Sequence, residues 1–370
     1  MDLNSIKLPV YLKLAQIVMG LVAFFYILYV GQNIIIPFIL AVVIAILLNP
    51  AVNYLCSKKL NRILAISLAI FAGFILLAAV LFFIGSQLVM FSETFPQFKQ
   101  KFDALSVEAV NWVTQTFGLS KSRLQEMLTN IKTEGMKNGT VVVTKTLGAM
   151  SNIFALFVLL PVYIFLILFY KSLLLEFISM LFHNAKKHIV EEVLVETKAL
   201  IQSYLMGLLI EAVIVSALFS VGLLLLGIEY AILIGIIAAI LNLIPYIGNL
   251  IAMVFPITVA LTNKEPTYVL WVIILFSTVQ FIDNNLIVPK IVASKVKVNA
   301  LISIIVVLIG GALWGIAGMF LSIPLTAILK VIFDRIDDLK PFGFLIGDDQ
   351  PPVSKIAFNL KSGSKRSKAK

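Results

Sequence analysis

The most distinctive feature of the sequence is the length of its uncharged segments. Six segments contain no Asp, Glu, Lys or Arg: 14–57, 63–92, 146–170, 212–228, 230–263 and 298–329. Because a helix needs about 20 apolar residues to cross a bilayer, segments of this length are typical of membrane spans. The pattern predicts an all-α polytopic membrane protein with about eight hydrophobic segments.

The first uncharged segment is too long for one span and predicts two helices. A Gly-Gln-Asn sequence marks the turn, so we predict helices over about 12–31 and 34–50. Pro37 would lie in the first turn of the second helix, where proline is tolerated, and Pro50 would end it. A short basic loop follows and predicts the cytoplasmic side.

The third helix is expected over about 63–91, ending outside. Residues 92–148 carry seven basic and five acidic residues with apolar positions at helical spacing, which predicts a small extramembrane helical insert. A fourth span over about 149–170, kinked at Pro161, and a cytoplasmic amphipathic helix over 171–200 complete the first half.

The second half repeats itself. Similar apolar segments cover 231–262 and 300–330, and each has a break in its middle, at 242–249 and 310–315. If each segment is a re-entrant helical hairpin, the basic loop 289–299 becomes cytoplasmic, as the charge rule requires. The two repeats would then be inverted, an architecture of secondary transporters.

These elements divide the chain into six expected parts. They are 1–91 (three transmembrane helices), 92–148 (the insert), 149–200 (helix four and the cytoplasmic helix), 201–262 (the first repeat), 263–335 (the second repeat) and 336–370 (a basic, disordered cytoplasmic tail).

Composition agrees with this class and narrows it. The chain has 370 residues, 61% hydrophobic and 13% charged, whereas soluble proteins carry about 25% charged residues. Its net charge is +10, and the last ten residues contain five basic and no acidic ones. The positive-inside rule accounts for this tail better than nucleic-acid binding, so we expect no nucleic-acid partner.

Motifs for enzymatic chemistry are absent from the sequence. It contains no phosphate-binding loop, no H-E-x-x-H and no G-x-S-x-G, and Cys56 is the single cysteine. We therefore expect a protein that is not an enzyme and that needs no cofactor or metal.

Two acids within apolar segments are the main candidate functional residues, because an ionised carboxylate in a membrane is costly. Asp283 lies in a polar cluster with Gln280, Asn284 and Asn285, where Gln280 and Asn284 can share a helix face with it. Glu211 lies ten residues into a predicted span. These groups could bind Na⁺ or carry a proton. An alternative is that they are merely polar helix ends or a buried acid bonded to another helix.

The first hairpin break is the other candidate site. Pro245, Tyr246 and Gly248 interrupt the helix and free backbone carbonyls that lipid cannot satisfy, and Asn242 and Asn249 flank them. Irregular backbone of this kind is typical of a cavity that holds a substrate or an ion.

The motif residues of the second half resemble the autoinducer-2 exporter (AI-2E) family of permeases. The resemblance rests on Asn-x-Ile-Pro-Tyr-Ile-Gly from Asn242, Asp-Asn-x-x-x-x-Pro from Asp283, and the Leu-Trp-Gly-x-x-Gly-Met to Ile-Pro-Leu stretch over 313–325. It implies a multi-pass bacterial cell (inner) membrane protein that is homo-oligomeric. It also implies export of a small furanosyl signal or, as in some members, Na⁺(Li⁺)/H⁺ antiport.

We therefore expect a secondary transporter that exports a small polar solute resembling autoinducer-2, coupled to ions or protons through Asp283 and Glu211. It would work by alternating access. A Na⁺(Li⁺)/H⁺ antiporter is the alternative within the same class. A non-transporting membrane scaffold that uses residues 92–148 and the basic tail is the alternative from another class.

Overall fold

The structure is a computed structural model. The part of the chain that the structure describes is helical throughout. The described residues are 9–118, 120, 122, 126, 158–182, 187–244, 248–292 and 297–348. Within these ranges six helices are long and apolar enough to cross a membrane, and a seventh span results if one sharply bent pair counts as a unit. The prediction of an all-α polytopic membrane protein is confirmed, whereas the count of eight segments stays a prediction.

The first two helices lie close to their predicted places. Helix α1 covers Val10–Val30 and helix α2 covers Gln32–Ser57. The expectation that Pro50 ends α2 is wrong, because the helix runs through it, and Pro37 lies beyond the first turn. Membrane helices tolerate such prolines because neighbouring groups satisfy the carbonyls that they free.

Helix α3 is much longer than predicted and covers Arg62–Phe117. The side chain of Asn61 accepts a hydrogen bond at its start, and Gly118 ends it with a positive φ of 66°. The predicted helix end near residue 91 is therefore wrong, since the helix continues into the segment assigned to the insert. Most of the remaining insert lies outside the described residues.

The chain bends sharply after the next span. Helix α4 (Val158–Phe169) and helix α5 (Lys171–Met180) meet at an angle of 67°. This bend therefore lies at Tyr170. The expected kink at Pro161 stays a prediction, because the residues directly before Val158 lie outside the described part. Helix α6 covers Lys187–Leu225 without interruption, so the predicted amphipathic helix over 171–200 is two separate helices, and the second continues as a span.

A short antiparallel helix pair follows. Helix α7 covers Ala231–Asn242 and helix α8 covers Gly248–Asn263. A methyl group on Gly248 would overlap the carbonyl group of Leu241, so the start of α8 lies directly against the end of α7. Gly235 lets α7 pack closely on α6, because a methyl group there would overlap the Ser220 hydroxyl.

The next span changes its winding halfway. Helix α9 covers Thr267–Ile282 and continues directly into a π-helix over Asp283–Val292. Pro289 lies inside this π segment and does not end the span. Such wide turns within an α-helix are frequent at functional sites.

Helix α10 (Ala300–Arg335) folds back on itself at Trp314 and Gly315, whose backbone angles are not helical. A methyl group on Gly318 would overlap the carbonyl group of Gly310, although these residues would be about 12 Å apart in a straight helix. The turn is also tied to α1, since the Trp314 indole donates a hydrogen bond to the Leu28 carbonyl at 3.0 Å. The re-entrant, inverted course of both helix pairs in the membrane stays a prediction.

Part of the predicted tail is folded. A 3₁₀ turn (Asp337–Leu339) and helix α11 (Lys340–Ile346) follow α10. The Asn299 amide donates to the carbonyls of the three residues 345–347 at 2.7, 3.2 and 3.0 Å. Disorder beginning at residue 336 is therefore wrong for the residues up to 347, and residues 349–370 lie outside the described part.

Candidate functional site

Two acids are buried between the helices of the second half. Glu211 on α6 and Asp283 at the junction of α9 and the π segment are 5% and 2% exposed. Apolar clusters lie on either side, one with Val215 and Ile287 and another with Leu208. These apolar side chains shield the acids from solvent and lipid.

One amide joins the two acids. The Asn242 side chain, at the end of α7, donates from Nδ2 to Glu211 Oε1 at 3.3 Å and to Asp283 Oδ2 at 2.9 Å. Both carboxyl groups therefore lie within reach of a single nitrogen. The structure brings together three residues that the sequence predicts as a site, one from each of three helices.

Each acid also has one oxygen without a hydrogen-bond partner among the described residues. Glu211 Oε2 and Asp283 Oδ1 are buried, and neither has a hydrogen-bond partner among the described residues. Buried polar atoms are nearly always hydrogen-bonded, so two orphaned oxygens in one cluster indicate a missing partner. A cation or a proton would relieve the repulsion between two ionised carboxylates held near one amide.

Local backbone features place Asp283. A Cβ atom on Gly207, one turn before Glu211, would lie 2.8 Å from the Ile291 carbonyl oxygen. The missing side chain lets the π segment approach α6 closely. The tight contact and the change in helical winding together point Asp283 towards Glu211.

The other polar residues of the predicted cluster lie elsewhere. Gln280 Nε2 donates to Asn284 Oδ1 at 3.1 Å, and Asn285 donates to the Phe281 carbonyl at 2.9 Å. Asn284 and Asn285 are exposed, and no hydrogen bond joins Gln280 or Asn284 to Asp283. The expectation that Gln280 and Asn284 share a face is met, but Asp283 does not lie on it.

The break after α7 is only partly described. Pro245 and Tyr246 lie outside the described residues, and Gly248 is buried at the start of α8. Asn249 carries a buried Oδ1 without a described partner. Among the candidate residues around the break, the structure thus places Asn242 beside Glu211 and Asp283.

Sequence reasoning missed one neighbour of the acids. Tyr204, two helical turns before Glu211 on α6, is also buried. The signal was its spacing, since residues seven apart share a helix face.

A second polar cluster joins α6 to the end of α10. The Arg335 guanidinium donates to Glu192 and, at 2.8 Å, to Glu196. These residues line an open cavity of about 390 Å³, away from the buried acids. Among the described residues, no group of three or more His, Cys, Asp or Glu side chains could hold a metal ion.

Comparisons with known proteins match this architecture along nearly the whole chain. Residues 18–338 match the family model described as the AI-2E family transporter. The chain is 25% identical over 346 residues to the AI-2 transport protein TqsA of Escherichia coli, covering 94% of this chain and 97% of that protein. It is 27% identical over 320 residues to YrrI of Bacillus subtilis, covering 81% of this chain and 86% of YrrI. The apolar helices indicate a protein that crosses the membrane several times, and the match over residues 18–338 shows that the chain belongs to the AI-2E transporter family.

Proposed function

We propose that this protein is a secondary transporter of the cell membrane that exports a small polar solute by alternating access. Coupling to a cation or a proton occurs at Glu211 and Asp283. The observation that carries the proposal is the pair of buried carboxyl groups that share one amide donor and each have one oxygen without a partner in the described part of the chain. An intramembrane acid in such a setting marks a functional site.

The position of Asn242 supports a link between ion binding and movement. It ends α7 and directly precedes the break before α8, whereas the acids lie on two long spans. A shift of the α7–α8 pair against those spans would withdraw the only described donor from both acids. Loss of the amide would change how strongly the site holds a cation or a proton, which is the property that coupling needs.

The relatives support the choice of solute class. TqsA is named as a transporter of autoinducer-2, and this chain matches it over almost its full length. A small polar solute that resembles autoinducer-2 is the solute that we propose. The family resemblance also supports a homo-oligomeric assembly.

Transport by the purified full chain in proteoliposomes tests the proposal. Labelled autoinducer-2 loaded inside the vesicles is the probe, and a pH or Na⁺ gradient is imposed. We expect gradient-dependent flux in the wild type, at least tenfold less in Asp283→Asn and Glu211→Gln, and wild-type flux in Glu229→Gln, an acid outside the pair.

The other outcomes discriminate between the alternatives. Proton flux under a Na⁺ gradient in vesicles without solute would identify a cation/proton antiporter. Solute flux that survives both substitutions would remove the acids from the mechanism. If neither the solute nor protons move, transport of this solute is contradicted. The scaffold alternative, which requires residues 92–148, is then left.

A further inference from the structure

Helix α5 presents an apolar face that no other part of the described protein covers. It contains no buried residue, and Leu173, Phe177 and Met180 are 60%, 57% and 73% exposed. Their spacing of four and three residues puts them on one face. Since α5 turns away from the α4 span by 67°, it is directed towards the plane of the membrane surface. A short amphipathic helix of this kind is typical of the boundary between headgroups and acyl chains.

Positive charges from three separate elements surround the start of this helix. Arg62, the first residue of α3, donates from Nη2 to the Leu168 carbonyl at 2.8 Å. Lys171, the first residue of α5, donates to Asn49 Oδ1 at 3.0 Å. Helix α5 packs against α6, and the like charges of Lys198 on α6 and of Arg62 act on the Lys171 ammonium. The bend between α4 and α5 is thus built around basic side chains.

Within the described part of the chain, no acid forms an ion pair with Arg62, Lys171 or Lys198. The ion pairs there involve other residues, and the partners of Arg62 and Lys171 are an uncharged carbonyl and an uncharged amide. Like charges held together repel each other, and an anion between them would remove that repulsion. The cluster therefore has the charge and the exposure of a site for an anionic group.

We propose that the cluster Arg62–Lys171–Lys198 and the apolar face of α5 together bind an anionic phospholipid. The phosphate lies among the three cations, and an acyl chain lies along Leu173 and Phe177. Positive residues near span ends face the cytoplasmic leaflet, where anionic lipids attract them. This site is separate from the buried acids and does not depend on the proposed transport activity.

Lipid retention by the full chain, measured by native mass spectrometry, tests the proposal. The probes are phosphatidylglycerol and phosphatidylcholine with the same acyl chains. We expect preferential retention of phosphatidylglycerol in the wild type, weakened about fivefold by Lys198→Gln and further by Lys171→Gln. Lys187→Gln, on the same helix as Lys198 and also exposed, is the matched control and should retain wild-type binding. Gel filtration of each variant confirms that it is folded.

A second measurement tests the apolar part of the site. A photoreactive residue at position 177 should capture lipid, and Phe177→Ser should weaken both lipids to the same extent. Equal retention of the two lipids in the wild type, or an effect of Lys187→Gln as large as that of Lys198→Gln, would overturn the proposal. So would displacement of the lipid by millimolar inorganic phosphate, or capture of a second copy of the chain at position 177.

Discussion

Replacing Asn242 with leucine tests whether one amide holds the two buried acids together. The amide donates to Glu211 at 3.3 Å and to Asp283 at 2.9 Å. Leucine has a similar size and no donor, so Asn242→Leu leaves both carboxyl groups buried without that partner. Each already has one orphaned oxygen, so the variant makes an under-satisfied site worse.

The expected cost follows from these two bonds. An ordinary hydrogen bond contributes about 1 kcal/mol and one to a charged group about 1.5–3 kcal/mol. The bond to Glu211 is long, so it contributes less than the bond to Asp283. We therefore expect Asn242→Leu to lower the free energy of unfolding by about 2–4 kcal/mol. Asn249→Leu, which removes an amide whose buried oxygen has no described partner, should cost less than about 1 kcal/mol.

Denaturant-induced unfolding in detergent micelles, followed by tryptophan fluorescence, measures both variants. The decisive comparison repeats Asn242→Leu in an Asp283→Leu background, where the stronger acceptor is gone. The second substitution should then cost at least about 1 kcal/mol less than it does in the wild type. Additive costs would refute the reasoning, because they would mean that Asn242 and Asp283 do not interact.

Three further substitutions test how the helices fit together. Gly207→Ala places a methyl group against the backbone of the π segment and should lower the free energy of unfolding by about 1–3 kcal/mol, whereas Gly20→Ala, with open space around it, should not. Gly318→Ala should have a similar cost, because its methyl group meets the facing backbone of the same folded helix; an unchanged unfolding midpoint would contradict the fold-back. Arg335→Met removes partly exposed ion pairs to α6 and should cost at most about 1 kcal/mol per pair, with a weaker salt dependence of stability than the wild type.

The two acids could be predicted from the sequence because a carboxylate within an apolar membrane segment costs free energy. Glu211 and Asp283 interrupt apolar segments, and that cost is visible without any structure. Their shared contact with Asn242 was not predictable in the same way. It depends on how closely α7 packs on α6, which Gly235 permits by its contact with Ser220. Contacts between helices of this kind are properties of packing and leave no local signal.

The expectation that Asp283 shares a helix face with Gln280 and Asn284 was wrong, and the reason lies in helix periodicity. Residues four apart share a face, which is why these two side chains do meet. Asp283 is one residue from Asn284, about 100° around the helix, and the winding widens to a π-helix from that point. The polar cluster therefore divides into an inward acid and an outward amide pair. Pro50 was also misinterpreted, because it was expected to end α2 and the helix continues through it.

The contacts of Asn299 turn the last helix hairpin into a closed ring. Its side chain reaches carbonyls 46 to 48 residues further along the chain, so the two ends of the α10–α11 segment are fastened to each other. These hydrogen bonds at the base of the hairpin resist separation of the two halves of α10. A displacement of one half therefore moves the whole segment. Residues 340–347 thus fix the base of the hairpin, and a truncation that removes them would leave its two halves held by the contacts near the turn, such as that between Gly310 and Gly318.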